Sequence, residues 1–221
     1  MIARSQTRPI AQLSLAILIA GIVPALGLSS ERARLVEALA LREGMHVADV
    51  GAGDGEWSER LAEEVGAAGH VYATEIKAHD VEGIDARARR AGLENVTAIL
   101  GTDTDTGLPD GCCEAILLRM VYHHFTDPAP MRASLRRALR PGARLAVIDL
   151  QPRRGWGDLP GVPDRGGHGI RMDELVDEMT SDGFEVVARH DDWNGSGDRY
   201  CVVFRRAGGP GAPEPLTGEG R

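Results

Sequence analysis

Short apolar runs alternate with stretches whose apolar residues recur every three to four positions, and this alternation holds from residue 31 to residue 206. Ser29 or Ser30 can cap a helix running from Glu31 to Leu41, with Leu35, Val36, Leu39 and Ala40 on one face. His46-Val47-Ala48 opens a first strand, and an amphipathic helix begins near Trp57. His70–Glu75, Val96–Gly101 and Ala115–Met120 read as the second, third and fourth strands. Leu139–Gly142 reads as a helix end and a turn, with a fifth strand running on to Leu150. The pattern then predicts a helix over Met172–Ser181. Two last strands follow, Gly183–Val187 and Tyr200–Phe204, joined by the turn-rich loop Asp191–Asp198. Gln151–Gly169 is rich in Pro and Gly and shows no period. The series predicts an α/β fold, doubly wound, with a parallel sheet covered by helices on both faces.

The two ends break this rhythm. Arg4 and Arg8 precede a largely apolar stretch, Ile10–Leu28, interrupted by Gln12, Ser14 and Pro24 and closing on the small residues Ala25 and Gly27. That form predicts a signal peptide or a retained membrane anchor over residues 1–28, with membrane association through residues 10–28. The bland alternative is an N-terminal helix packed on the domain. The expected location is exported, periplasmic or secreted, or membrane-anchored; an uncleaved anchor would leave a cytosolic domain. Residues 29–206 form the expected domain, and the Gly- and Pro-rich stretch 207–221 an expected disordered tail.

Composition narrows the function. A chain of 221 residues with 43% apolar content suits a single α/β domain with a two-sided core. The formal net charge is −8, so there is no basic footprint and no nucleic-acid partner is expected. Arg87, Arg89 and Arg90, and Arg132, Arg136, Arg137 and Arg140, fall on predicted helices and read as solvated faces. The three cysteines, Cys112, Cys113 and Cys201, make no disulfide framework. No Cys/His spacing has the form of a zinc site, so no metal is expected.

The candidate chemistry lies in Asp49-Val50-Gly51-Ala52-Gly53-Asp54-Gly55, a glycine turn between the first strand and the next helix. Side chains at the three glycines would hold a ligand away from the backbone or demand a strained torsion. Such a turn lets a nucleotide-like ligand lie against main-chain N–H groups at a helix start. The dinucleotide fingerprint G-x-G-x-x-G fails here, because its third glycine would fall on Glu56, a poor neighbour for pyrophosphate. Glu75 ends the second strand 22 residues after Gly53, an offset suited to accepting hydrogen bonds from ribose hydroxyls.

The order acid-x-G-x-G-x-G, with Glu75 and then Asp103 after the third strand, resembles the first motifs of class I S-adenosylmethionine-dependent methyltransferases of the broad type 11, small-molecule kind. The resemblance spans residues 31–206. It implies a Rossmann-like, mostly parallel seven-stranded sheet closed by a C-terminal antiparallel hairpin. It also implies S-adenosyl-L-methionine as cofactor, a loop that approaches its methionine and ribose parts, and no bound phosphate. The implied cofactor residues are Asp49, Gly51, Ala52, Gly53, Gly55, Glu75, Ile76, Asp103, Thr104 and Arg119, with Asp105 as the neighbouring alternative to Asp103. Asp49 and Asp54 would face the cationic cofactor.

Methyl transfer needs in-line positioning and, for many acceptors, removal of a proton. His123 and His124 after the fourth strand are the candidates for that proton, Tyr122 for orienting a small-molecule acceptor, and His168 for approaching from above. Each histidine could equally be a loop residue satisfying a backbone carbonyl. Arg153, Arg154 and Trp156 fit an anionic or aromatic acceptor or a solvated loop. Two other functions stay open: an NAD-type oxidoreductase, disfavoured by Glu56 and by the lack of a Ser-Tyr-Lys set, and an exported, non-catalytic cofactor-binding module.

Overall fold

The computed structural model of the chain describes residues 30–153 and 160–207. The N-terminal signal or anchor reading, the tail beyond residue 207, and Arg154 and Trp156 all lie outside the described residues. Among the described residues no helix is long and apolar enough to cross a membrane.

Among the described residues seven strands form one sheet: β1 (His46–Val50), β2 (His70–Glu75), β3 (Val96–Leu100), β4 (Cys113–Arg119), β5 (Leu139–Leu150), β6 (Phe184–His190) and β7 (Arg199–Arg206), in the spatial order β3-β2-β1-β4-β5-β7-β6. The first five pair in parallel, while β7 runs antiparallel to both β5 and β6. Among the described residues the α-helices are α1 (Glu31–Leu39), α2 (Glu56–Val65), α3 (Ala78–Ala91), α4 (Pro128–Ala138) and α5 (Met172–Ser181). A 3-10 turn, Tyr122–His124, follows β4. The expected doubly wound sheet with its closing antiparallel hairpin is the observed one.

The central strands are apolar on both faces because both are covered. Ile116 and Leu118 of β4 and Leu145 and Val147 of β5 join Leu135 of α4 and Leu175 and Met179 of α5 in one core. Their sequence neighbours Ala115, Leu117, Ala146 and Ile148 point to the opposite face, where Leu35 and Leu39 of α1 and Leu61 and Val65 of α2 cover them. Ser30 caps α1, its hydroxyl accepting from the Ala33 amide at 3.2 Å. The helix stops at Leu39, two residues before the sequence reading, because Ala40 turns left-handed.

The turn expected at Leu139–Gly142 sits inside β5. Pairing with β4 jumps from Cys113–Leu139 to Ala115–Arg144, so the residues between bulge out of the ladder. This excursion absorbs Pro141, which has no amide to donate. The strand then runs straight to Asp149 and Leu150, whose ends define one side of the site.

Candidate functional site

In the strand order, β1 lies between β2 and β4, so the chain leaves β1 for one side of the sheet and returns on the other. A crevice opens at the carboxyl ends of the strands at such a switch point. Here it is a cavity of 510 Å³, lined by the glycine turn, Glu75 and Ile76 after β2, Asp103 after β3, and Arg119, Val121 and His124 after β4. That volume falls in the range of small-molecule sites.

The glycine turn is tight for two different reasons. Gly51 has φ +71°, and a Cβ built there would lie 2.3 Å from Val121 Cγ2, so this position is closed by packing on the β4 loop. Gly53 has φ +59° but open space where a Cβ would stand. Most of the turn's amides are already used: Gly51 and Ala52 donate to the Thr74 carbonyl, Gly55 to Ala52, Gly53 to Glu75 Oε1 at 2.8 Å, and Glu56 to Asp54 Oδ1. A ligand lying on this turn would meet amides that, Asp54's aside, already have partners within the protein. The loop offers shape and carboxylates, an environment that disfavours pyrophosphate.

Asp49, next to last in β1, is almost fully buried, and its Oδ2 accepts from Ser58 Oγ at 2.7 Å. Burial pushes its carboxyl up to about 6, against the Ser58 hydrogen bond and the Arg119 charge, which pull it down. Glu75 is half-buried and lines the cavity; its Oε1 accepts from the Gly53 amide and its Oε2 from the Ile76 amide at 3.1 Å. Ile76 remains 54% exposed, leaving an apolar face in the cavity wall. Asp103 is exposed and makes no hydrogen bond or ion pair among the described residues. Asp105 is held by the Gly107 amide, Ser134 and Arg137, which keep its carboxyl below the usual range. Both acids line the cavity, but Asp105 is engaged in shaping the turn while Asp103 carries no protein partner among the described residues.

Other candidates fall elsewhere. Gly55 caps α2 in a left-handed conformation, buried outside the cavity lining, and Thr104 turns back on Thr102. Asp54 pairs with Arg87 at 3.3 Å. Arg119 lines the cavity, but its guanidinium makes a two-pronged contact with Glu31 of α1 at 3.0 and 3.2 Å and lies 5.0 Å over the Trp57 ring. Although burial acts the other way, Arg119 and the Trp193 indole hold Glu31 below its ordinary pKa. Tyr122 is not available to orient an acceptor. Its side chain is buried in the core, and its hydroxyl donates to Glu178 Oε2 at 2.6 Å and accepts from Arg132.

The histidines divide between two cavities. His124 is exposed on the 510 Å³ cavity, and the protein around its ring, followed by His123 and His168, lowers its pKa to about 4. His123 is buried and lines a neighbouring cavity of 200 Å³ together with His168. Its Nδ1 lies 2.6 Å from Asp149 Oδ1 and its Nε2 3.0 Å from His168 Nε2. Asp149, fully buried, also accepts from the His123 and Leu150 amides. Sequence reasoning missed Asp149 and the gathering of three histidines, because residue 168 is 45 positions from residue 123 and no local spacing links them.

The switch-point crevice with carboxylates on its first two strand ends defines a class of doubly wound proteins that take a nucleoside cofactor at the carboxyl edge of the sheet. Residues 41–208 match the family described as a methyltransferase domain, and the chain belongs to it, within the class I S-adenosylmethionine-dependent methyltransferases. It is 28% identical over 127 residues to the demethylmenaquinone methyltransferase of Listeria welshimeri, covering 57% of this chain and 54% of that one. An uncharacterized methyltransferase of Mycobacterium bovis is 31% identical over 147 residues, 65% of this chain and 55% of its own. The chain spans about half the length of these curated relatives. A crystal structure of a SAM dependent methyltransferase from Aquifex aeolicus is similar with a TM-score of 0.67 and 25% identity, over 80% of this chain and 89% of that one.

Proposed function

We propose that this chain transfers a methyl group from S-adenosyl-L-methionine to a small-molecule acceptor. The observation that carries the reading is the cavity in which Asp49, Glu75 and Asp103 stand around a glycine turn most of whose amides already have partners. Such a site suits a ligand with a cationic centre and hydroxyl donors, and repels a phosphate. Asp49 would favour the cofactor's positive charge, Glu75 would accept from the ribose hydroxyls while holding Gly53, and Asp103 would accept from the adenine amino group. Gly51, Ala52 and Gly53 supply the close backbone wall, and Ile76 an apolar face for the base. Bound there, the cofactor supplies an electrophilic methyl group.

The acceptor's side of the cavity is bordered by Val121, Phe125, Thr126 and Met131, an apolar rim with few charges that fits a small organic molecule. The relative that methylates demethylmenaquinone supports an acceptor of that general kind. His124 stands on this rim with its exposed imidazole bordering the acceptor's side.

Calorimetric titration of the full chain with S-adenosylmethionine, with NAD as comparison, tests the reading. Saturable binding of the methyl donor alone is expected. Glu75→Gln, which keeps a carbonyl for the Gly53 amide but loses the charge, should weaken the donor at unchanged thermal stability. Equal binding of NAD, or a Glu75→Gln variant that binds normally, would overturn the assignment.

A further inference from the structure

The geometry points to a binding site for one divalent first-row transition ion, zinc foremost, formed by His123, His124 and His168 and oriented by Asp149. The three imidazoles come from two segments that the fold brings to the end of β5. His123 and His124 are in the 3-10 turn after β4, and His168 is pinned by paired backbone hydrogen bonds with Arg153, at 2.9 and 3.2 Å. One nitrogen from each ring lies within 4.8 Å of the other two. His123 Nε2 and His168 Nε2 are 3.0 Å apart. Two nitrogens bound at about 2.0–2.1 Å on a tetrahedral ion stand about 3.3 Å apart, so this pair is nearly in place. The widest pair must close by about 1.5 Å to reach that spacing. The exposed His124 ring can do this by side-chain rotation.

Asp149 supplies the second half of the design. With the carboxylate as acceptor, the 2.6 Å contact would place the His123 proton on Nδ1 and leave Nε2, which faces His168, as the ligating atom. Carboxylate, histidine and ion in series is the arrangement that fixes ring orientation and strengthens the ligand. Three imidazoles leave the fourth position of a zinc ion open, and they suit zinc, copper, iron or nickel over magnesium or calcium. That position would adjoin both the 200 Å³ cavity, walled by His123 and His168, and the larger one, where His124 stands. The ion thus has a route in and a place beside the acceptor rim. The site does not depend on the proposed methyl transfer, since metal binding is read directly.

The experiment is a zinc titration of the full chain, followed by calorimetry and by metal analysis after dialysis. Cobalt replaces zinc in a parallel sample for its visible spectrum. One ion per chain and the intense absorption of a four-coordinate cobalt site are expected. His124→Gln and His168→Gln should each abolish stoichiometric binding with unchanged circular dichroism. Asp149→Asn should weaken binding by about 10–100-fold. Cys112→Ser, which removes the most accessible thiol, should leave binding intact. A folded chain that binds no zinc or cobalt, or binding that survives both histidine variants, would overturn the proposal. The donor titration of the preceding section is a separate readout, so either result can fail alone.

Discussion

At the scale of single residues, Asp49 shows how a buried carboxylate can serve a ligand at a cost to the empty fold. Its carboxyl is pushed up to about 6 in the folded chain, against about 3.9 when unfolded. The native state therefore holds a proton that the unfolded state has released, and this group's contribution to stability is lost as pH rises from about 4 to about 6. Asp49→Asn removes that loss while its carbonyl still accepts from Ser58. Denaturant unfolding at pH 7 should show a gain of roughly 2–3 kcal/mol, with wild type and variant converging near pH 4. A cationic ligand reverses the preference, so methyl-donor affinity should fall between pH 7 and pH 5 in wild type and be weaker and flatter in the variant. Gly51 gives a second expectation. Gly51→Ala meets Val121 at sub-contact distance, whereas the double variant with Val121→Gly keeps only the torsional cost. A double-mutant cycle in thermal unfolding should give a coupling of about 1–3 kcal/mol.

At the scale of elements, the functional turn after β4 is held by an ion cluster between helices that the sequence reading treated as solvent-facing. Arg132 of α4 is nearly buried, and its guanidinium donates to Glu178 and Asp182 at the end of α5 and to the Tyr122 hydroxyl. Arg132→Ala leaves Glu178 with Arg165 and the Tyr122 hydroxyl as its remaining partners and should cost about 2–3 kcal/mol. Tyr122→Phe should cost only about 1–2 kcal/mol and leave donor affinity unchanged, which calorimetry on the two variants checks. This is where the sequence was least legible. Strands β1, β2 and α5 follow from apolar runs and period alone, and the glycine turn with Glu75 follows from fixed offsets along the chain. Arg132 shares a helix with Arg136 and Arg137 and carries no local mark of burial. Tyr122 and His123 adjoin a cavity-lining residue, yet a 3-10 turn sends their side chains inward while His124 faces out. Such choices depend on what packs opposite, which periodicity does not encode.

At the scale of the whole molecule, the sheet divides its labour along its width. The half containing β3, β2 and β1 presents carboxylates at its carboxyl edge: Asp103, Glu75 and Asp49. The half containing β4 and β5 presents imidazoles and Asp149. The cavity straddles the line between them, so a bound donor would tie together two sets of strand ends already joined by β1–β4 pairing and by the packing of Gly51 on Val121. Binding to the native state alone at about 100 times the dissociation constant adds about 2.7 kcal/mol. For a domain of this length that is a rise of about 5–10 °C in melting temperature. S-adenosylmethionine should produce that rise, NAD should not, and Glu75→Gln should lose most of it at the same donor concentration. Because the donor would bridge both halves, hydrogen exchange should slow at the amides of Gly51–Gly53 and also at Met120–Val121, across the β1–β4 line. Protection confined to the glycine turn would mean that the ligand occupies only the carboxylate half of the crevice.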